Sequence, residues 1–402
     1  MSKKKKIIII SIIVFILLLI TSIFIYITKI RYKEIKLDQD TFEVDVFENK
    51  KISELVPDVT LKEDSIIDTE TIGSKKFDIK FIKNNKRYKS TIEVKVVDNI
   101  APTVFTSSSV RIYKGNKVDL INKFIGGDNY DNKPKKEIVG DYDINKVGSY
   151  DLTYKITDSS GNVTEKDFVL YVKEKPTTTI KAKSTKQIEK EDDGLEFSSV
   201  IEKYKEDNTM IGIDVSKWQG DINFKKVKEA GCEFVIIRLG YQKGLNGEMT
   251  LDVKYADNIK KATEQGLKVG LYVYTYAASV EDAKNQAQWA IKNIGDYDID
   301  LGISYDWESW SNFNKLNLSY HNFTKLADTF LDSVKKYGYN GYLYSSKYYL
   351  ENIWDEHDHD VWLAHYTSKT NYSGDYKIWQ MSNSGRIDGI KGDVDIDILY
   401  LK

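Results

Sequence analysis

Two acidic residues at the end of a short apolar run have a spacing that could support acid–base chemistry. The run 301–305 reads as a buried strand, and Asp306 and Glu308 follow it. Positions i and i+2 of an extended chain share a face, so their Cα atoms lie about 6.6 Å apart with Trp307 directed the other way. Like charges this close raise one pKa, so one carboxyl can stay protonated while its neighbour is ionised. Hydrolysis of a glycosidic bond requires such a pair, although an acidic loop after a strand gives the same local pattern.

The segment 209–402 contains the elements that would position these acids. Strand-like runs alternate with helical patterns in its first half, which predicts a parallel sheet, and about eight strands predict an irregular, TIM-like α/β barrel. The predicted strands are 210–214, 234–238, 268–274, 301–306, 341–345, 361–365, 377–380 and 394–398, and the predicted helices are 225–230, 253–264, 280–291 and 320–337.

Further acids fall where such a barrel gathers its chemistry, at the C-terminal ends of its strands. Asp214 closes the first predicted strand, and Asp395 lies in the last. The first and last strands are neighbours when a barrel closes, so these two residues could face each other. We therefore expect Asp214, Asp306, Glu308 and Asp395 to converge on one mouth.

Seven stretches of this segment resemble the glycoside hydrolase family 25 muramidases, the Chalaropsis-type lysozymes. They occur in order over residues 210–402: GIDVSKWQG (212–220), FVIIRLGY (234–241), GLYVYTYA (270–277), YDWE (305–308), WLAHY (362–366), IWQ (378–380) and VDID (394–397). Two departures are Gly302-Ile303-Ser304, where the family often has proline and aliphatic residues, and Asp397, where an asparagine is common. Neither departure removes a catalytic acid.

The resemblance implies cleavage of the β-1,4 bond between N-acetylmuramic acid and N-acetylglucosamine in peptidoglycan glycan strands, with no cofactor. Glu308 would be the general acid, its pKa raised by neighbouring carboxylates, and Asp306 would stabilise positive charge or orient the N-acetyl group. Asp214 and Asp395 would position the substrate and hold the proton of Glu308. The spacing leaves retention and inversion both open, although the resemblance favours retention. The alternative is a non-catalytic, glycan-binding surface adhesin.

Sugar rings pack on flat apolar faces, so aromatic residues near strand ends are candidates for substrate binding. Trp218 is expected instead to pack beneath the first loop. The candidates are Tyr241, Tyr274, Tyr276, Tyr344, Tyr366 and Trp379.

The N-terminus predicts a membrane anchor. Lysines in the short tail 1–6 precede an almost uninterrupted aliphatic run, 7–27, which as a helix would span about 31 Å, the thickness of a bilayer core. We expect an uncleaved, single-pass signal anchor in the cell membrane, with the rest of the chain outside facing the wall.

Two similar patterns of strands and turns, about 75 residues apart, follow the anchor. They predict tandem β-sandwich modules at 34–99 and 100–173 that resemble bacterial immunoglobulin-like repeats and that act more as spacers than as binding sites. A polar stretch, 174–208, predicts a flexible linker with a short helix over 195–204. The chain is therefore predicted to be multidomain: one transmembrane helix, two all-β modules and the barrel.

Other functions are less well supported. Residues 209–402 hold 22 Lys and Arg against 27 Asp and Glu, which argues against nucleic acid as a partner. The single cysteine, Cys232, precedes its strand and so lies at the wrong end of the barrel for a nucleophile. The run His357-Asp358-His359-Asp360 could hold a metal ion, but a surface loop explains it better, so no metal site is predicted.

Overall fold

The computed structural model describes residues 3–26, 31–176, 194–356 and 358–401, and the chain divides into two compact units, 1–100 and 101–402. The first helix, α1, covers Lys3–Ile25. Within the described ranges, no helix is both long enough and apolar enough to cross a membrane. This finding does not support the membrane span predicted over 7–27, which stays a prediction. Residues 1 and 2 of the predicted tail and residue 27 of the span lie outside the described residues.

A five-stranded sheet forms most of the first unit. Strands β4 and β5 pair as an antiparallel hairpin, and β2 lies parallel to β5. The hairpin turn at Asn84 and Asn85 has φ values of 51° and 58°, a left-handed conformation that asparagine adopts readily. The elements are β1 (Lys33–Glu34), β2 (Thr41–Asp45), α2 (Ile52–Leu55), β3 (Thr60–Leu61), β4 (Gly73–Lys83) and β5 (Lys86–Val97).

The second unit begins with a similar set of strands, residues 101–173, which we call the second module. As in the first unit, a long antiparallel hairpin, here β10 and β11, carries a parallel strand beside its second strand. This shared order agrees with the predicted repeat, whereas assignment to the immunoglobulin fold stays a prediction. The strands are β6 (Thr103–Phe105), β7 (Ser109–Tyr113), β8 (Ile125–Gly127), β9 (Lys135–Val139), β10 (Gly148–Thr157) and β11 (Val163–Lys173).

The remainder of the second unit is an α/β barrel, and every predicted strand and helix of the segment is present in it. Its strands are β12 (Leu195–Glu196), β13 (Thr209–Val215), β14 (Phe234–Gln242), β15 (Met249–Leu251), β16 (Lys268–Tyr274), β17 (Ile303–Asp306), β18 (Gly341–Ser346), β19 (Asp360–Ala364), β20 (Ile378–Arg386) and β21 (Val394–Tyr400). Its helices are α3 (Phe197–Tyr204), α4 (Phe224–Glu229), α5 (Tyr255–Glu264), α6 (Val280–Ile294), α7 (Phe313–Leu316), α8 (Tyr320–Lys336) and α9 (Lys347–Leu350).

The barrel closes through its last strand. Strands β13, β14 and β16 to β20 follow one another in parallel, and β21 pairs antiparallel with both β13 and β20. The predicted irregular barrel is thus confirmed, with one reversed strand. Because β21 runs backwards, its first residues lie beside the last residues of β13, which brings Asp395 to the same end of the barrel as Asp214.

Over residues 194–208 the predicted flexible linker is wrong, whereas the short helix predicted over 195–204 is present as α3. Strand β12 pairs with β20, and Phe197 and Val200 of α3 are buried in the barrel core at 2% and 1% exposure. Two apolar residues one helical turn apart are enough to hold a short helix against the sheet, although the average composition of the stretch is polar. The part of the predicted linker at 177–193 lies outside the described residues.

Candidate active site

Asp306 and Glu308 are positioned by the fully buried strand β17. Gly302 turns the chain into this strand with φ 87°, a value that favours glycine. Asp306 is the last residue of β17 and lies between Tyr274 of β16 and Tyr344 of β18 in the sheet register. Trp307 is completely buried on the opposite side. The strand therefore directs both acids to the barrel mouth, as the spacing predicts.

A second acidic group is formed by the neighbouring strands β13 and β21. Asp214 is directly opposite Asp395 in this antiparallel pair, so their side chains share a face. Asp397 is two residues further along β21, on the same face and beside the Asp214 carboxyl. Trp362 Nε1 donates a hydrogen bond of 2.8 Å to Asp397 Oδ1. The extra acid that departs from the family pattern is thus built into the site.

The predicted acids line one cavity of about 620 Å³ at the C-terminal end of the parallel strands. Glu308 reaches it from β17, and Asp214 and Asp395 reach it from the closing pair, so residues far apart in the chain meet here. The aromatic and polar residues of its wall are Lys217, Trp218, Arg238, Tyr241, Gln242, Tyr272, Tyr274, Tyr276, Tyr344, Trp362, Tyr366 and Gln380.

Burial governs the titration of these acids. Glu308 keeps contact with solvent at the cavity, but the protein atoms around its carboxyl raise its pKa, and a hydrogen bond from Tyr344 opposes that shift. Burial is also the largest cause for Asp306, and the Glu308 charge raises its pKa further. The prediction that neighbouring carboxylates raise the pKa of Glu308 is therefore wrong, because the surrounding protein atoms raise it. The effect runs the other way: the charge of Glu308 raises the pKa of Asp306 and of Asp395.

The second acidic group is shifted in the same direction. Burial, followed by the charge of Glu308, raises the pKa of Asp395 to about 6. For Asp214, burial and then the charges of Asp395 and Asp397 raise the pKa well above its usual range. Neighbouring carboxyls disfavour each other's ionised form, so the charges of Asp395 and Asp397 add to burial in favouring the neutral form of Asp214.

Arg238 is a functional residue that sequence reasoning missed. It extends from β14 to the cavity wall, where its positive charge lowers the pKa of Asp306 against the effect of burial. Its Nη2 and Nε lie 2.6 Å and 2.8 Å from Oδ2 of Asp252, which is 1% exposed. The sequence does indicate this role, because Arg238 is the one charged residue in an otherwise apolar strand, and a buried charge requires a partner of opposite sign.

Gln380 is the second missed residue, and its amide links the two acidic groups. Its Nε2 donates to Asp214 Oδ2 at 2.7 Å. Its Oε1 accepts hydrogen bonds from Tyr344 at 2.8 Å and from Tyr366 at 3.1 Å. Since Tyr344 also contacts Glu308, Gln380 couples the position of Asp214 to that of the predicted general acid.

Five of the six predicted aromatic residues line the cavity, and one does not. Trp379 is 3% exposed, packs edge-on against Tyr204 and donates to His365 O at 2.8 Å. Successive residues of a strand point to opposite faces, so Gln380 in the lumen places Trp379 in the outer core. The prediction for Trp379 is therefore wrong. The five residues in the cavity are Tyr241, Tyr274, Tyr276, Tyr344 and Tyr366.

Trp218 also differs from its prediction. It lies in a 3-10 turn after β13, where Ser216 caps the turn, and its side chain is 76% exposed at the cavity rim. The Lys217 ammonium lies 5.0 Å from the Trp218 ring centroid and 4.9 Å from that of Tyr241. The indole therefore presents a flat apolar face to the cleft instead of packing beneath the loop.

A second cavity of about 490 Å³ adjoins the first and shares Glu308, Tyr344 and Tyr366 with it. Its far wall consists of Trp310, Tyr348 and Tyr349. Glu308 thus lies where two cavities meet, with binding space on each side of its carboxyl.

The remaining candidates contribute little to this site. His357 lies outside the described residues, and the buried His359 side chain places Nε2 3.5 Å from Asp328 and 3.7 Å from Asp332 on α8. Within the described part of the barrel, no three His, Cys, Asp or Glu side chains bring ligand atoms together as a metal site would. Cys232 is 1% exposed, and burial raises its pKa to about 12, so it has little thiolate character.

A barrel mouth lined by paired carboxylates and aromatic rings defines a glycoside hydrolase type of site. Residues 213–390 match the model of the family described as Glycosyl hydrolases family 25. This match supports, over that part of the chain, the resemblance seen in the sequence.

Two curated relatives share this region. The chain is 30% identical over 191 residues to the autolytic lysozyme of Clostridium acetobutylicum, covering 47% of this chain and 55% of that protein. It is 26% identical over 214 residues to lysozyme M1 of Streptomyces globisporus, covering 46% and 65%. The chain thus spans little more than half the length of the first of these relatives.

Among solved structures, the modular autolysin LytC from Streptococcus pneumoniae in complex with a synthetic peptidoglycan ligand is 27% identical. Its TM-score is 0.44, with 62% of this chain and 56% of that chain covered. A family 25 glycosyl hydrolase from Bacillus anthracis is 22% identical, with a TM-score of 0.42 and coverage of 50% and 93%.

Proposed function

We propose that the barrel hydrolyses the β-1,4 bond between N-acetylmuramic acid and N-acetylglucosamine in peptidoglycan. The observation that carries this proposal is the position of Glu308, a solvent-accessible carboxyl of raised pKa beside the buried Asp306, at the junction of two cavities. An enzyme that cuts within a polymer must bind sugar units on both sides of the scissile bond. Lysozymes among the relatives of this chain support the assignment.

Glu308 acts as the general acid and donates its proton to the glycosidic oxygen. The cavity walls raise its pKa, which favours the protonated form that a carboxyl in this role requires. Burial and the Glu308 charge raise the pKa of Asp306 as well, and the Arg238 charge opposes that shift. We propose that Asp306 carries the negative charge during the reaction, with Arg238 stabilising it. Asp306 stabilises the developing positive charge or orients the acetamido group, and we propose retention of anomeric configuration.

The other groups bind and orient the substrate. Asp214 is fixed by Gln380, and Asp395 faces the same cavity with a pKa of about 6. Trp218 and Tyr274 present rings at the cavity wall on which pyranose faces can pack.

Replacing Glu308 tests this mechanism. We expect purified full-length Glu308→Gln to release no new reducing ends from peptidoglycan while still binding it, because glutamine keeps the shape but has no proton to donate. Glu229→Gln, on the exposed face of α4, is the matched control and should behave like wild type. If wild-type protein binds the wall but releases no reducing ends at any pH, the non-catalytic adhesin is the better assignment.

We also propose that residues 7–27 anchor the chain in the cell membrane, with the barrel outside facing the wall. The support is the sequence: four residues, Ser11, Thr21, Ser22 and Tyr26, interrupt an otherwise aliphatic and phenylalanine run. Protein lacking residues 2–30 should then leave the membrane fraction, and protease added to wall-free cells should cut near 174–193. Membrane retention of the shortened protein, or protection from protease, would argue against this location.

A further inference from the structure

The second module packs directly against the segment that follows Glu308, residues 309–320, which we call the post-acid segment. Asn314 in this segment makes four hydrogen bonds to the module. Its Oδ1 accepts from Gly126 N at 3.1 Å and Lys136 Nζ at 3.0 Å, and its Nδ2 donates to Phe124 O at 2.7 Å and Ile121 O at 3.3 Å. The side-chain amide of Asn314 is therefore fully used in this contact.

The end of the post-acid segment is held in the same way. Tyr320 N donates to Asp128 O at 2.7 Å, and Ser319 N donates to Asn132 Oδ1 at 2.8 Å. Gly127 lies against the Tyr320 ring so closely that a Cβ there would be 2.6 Å from it. The backbones of module and barrel approach each other here because position 127 has no side chain.

A line of aromatic rings extends this contact to the catalytic strand. The ring of Phe105 meets that of Tyr348 edge-on at 5.0 Å and that of Tyr349 at 6.5 Å. Tyr349 stacks on Trp310 at 3.7 Å, and Trp310 meets Trp307 at 5.0 Å. Since Trp307 lies between the two acids in sequence, the packing is continuous from the module to the active site.

The post-acid segment has little structure of its own to keep it in place. Before Tyr320 begins α8, it contains one 3-10 turn, Trp310–Asn312, and the four-residue helix α7, which is followed by the left-handed residue Asn317 at φ 52°. Helical segments this short are not stable alone in water, so tertiary contacts must hold them. The hydrogen bonds to Asn314, Ser319 and Tyr320 come from the second module, and they add to the packing of Trp310 and Phe313 on Phe323 of the barrel.

We propose that the second module is a positioning element of the active site, which fixes the post-acid segment and the far wall of the second cavity. The inference rests on the proposed hydrolase function and revises the expected role of this module as a spacer. Through this contact the chain that follows Glu308 is held, and with it the position of the Glu308 carboxyl. The module itself touches no reacting atom.

The test uses full-length Phe105→Ala and Gly127→Val, with Tyr113→Ala as the control on the same module. Tyr113 is 44% exposed on β7. We expect kcat to fall about tenfold or more in both interface variants, because a misplaced acid reacts poorly, and KM to rise where the second cavity loses its wall. The control should keep wild-type values.

A pH titration of tryptophan fluorescence supplies a readout that does not depend on activity. Trp307 and Trp310 are near Glu308, and the Glu308→Gln variant identifies which step belongs to that residue. If the module positions the chain beside Glu308, loosening the contact changes the surroundings of the Glu308 carboxyl and moves this step by roughly half a pH unit or more. The titratable side chains that face Glu308 belong to the barrel, so these variants leave them in place: Asp306, Asp395, Tyr274, Tyr344, Tyr349 and Tyr366.

The outcomes separate the two proposals. A shifted fluorescence step in both interface variants, with the control unchanged, supports the positioning role even if no substrate is cleaved, in which case only the hydrolase proposal fails. Steps and rates that match wild type in Phe105→Ala overturn the positioning role. Should Gly127→Val lose cooperative thermal unfolding, Phe105→Ala alone decides.

Discussion

The Tyr344 hydroxyl donates a hydrogen bond to Glu308, so removing this hydroxyl should change the upper pH limit of activity. Tyr344→Phe removes the hydroxyl that approaches Glu308 and donates to Gln380 at 2.8 Å. The ring remains, and its contact with Trp362 at 4.7 Å keeps it in place. Because Gln380 still accepts from Tyr366, the variant mainly deprives the ionised form of Glu308 of a donor.

The size of the effect follows from the strength of this hydrogen bond. A hydrogen bond to a charged group contributes about 1.5–3 kcal/mol, and about 1.4 kcal/mol corresponds to one pKa unit. Since the Tyr344 hydroxyl also interacts with Gln380, we take the lower end of this energy range, which corresponds to a change of about one unit in the pKa of Glu308. The lost bond favours the neutral acid, so the pKa of Glu308 rises and the acid stays protonated to higher pH.

The assay is the pH dependence of kcat/KM on soluble peptidoglycan fragments, which reports the ionisation of the free enzyme. We expect the alkaline limb of Tyr344→Phe to move up by about one pH unit. Tyr342→Phe is the control, since this residue precedes Tyr344 by two positions on β18 and lies outside the cavity wall. An alkaline limb that stays in place or moves to lower pH would refute the assignment of Glu308 as the acid.

Two further substitutions test other parts of the site. Trp218→Ala should raise KM severalfold with little change in kcat, as measured by steady-state kinetics. Because the ring is 76% exposed at the rim, the free energy of unfolding should change by less than about 0.5 kcal/mol, as measured by thermal unfolding. Asp397→Asn should raise the melting temperature of the barrel by about 2–4 °C at pH 7, as measured by calorimetry. Asparagine retains the oxygen that accepts from Trp362, and it removes an acid whose pKa is raised by burial. Because the pKa of Asp397 is higher in the folded than in the unfolded protein, its ionisation lowers the free energy of unfolding as pH rises above about 4. The gain in melting temperature should therefore vanish near pH 4. An equal gain at pH 4 and pH 7 would contradict this reasoning.

Much of the barrel could be predicted because its strands are buried on both faces. Runs such as 234–239 and 268–273 are almost wholly apolar, so their positions follow from composition alone. The placement of Asp306 and Glu308 followed from the alternation of side chains along an extended chain. That argument needs no knowledge of distant residues.

The failures have equally local causes. Trp379 and Gln380 are adjacent, and the sequence does not say which of them faces the lumen, so the aromatic residue was assigned to the wrong face. Phe197 was missed because two buried residues hardly change the composition of a polar stretch. The contacts of Asn314 and Gly127 join residues almost 200 positions apart, and no local pattern predicts them.

The bond that the enzyme cuts is tested most directly by mass spectrometry of purified peptidoglycan digested with the full-length protein and reduced with borodeuteride. A muramidase leaves N-acetylmuramic acid at the new reducing end, so we predict deuterium-labelled muramitol on every released fragment and none with Glu308→Gln. Labelled glucosaminitol, or muramitol released equally by Glu308→Gln, would contradict the proposed role of the acids at this barrel mouth.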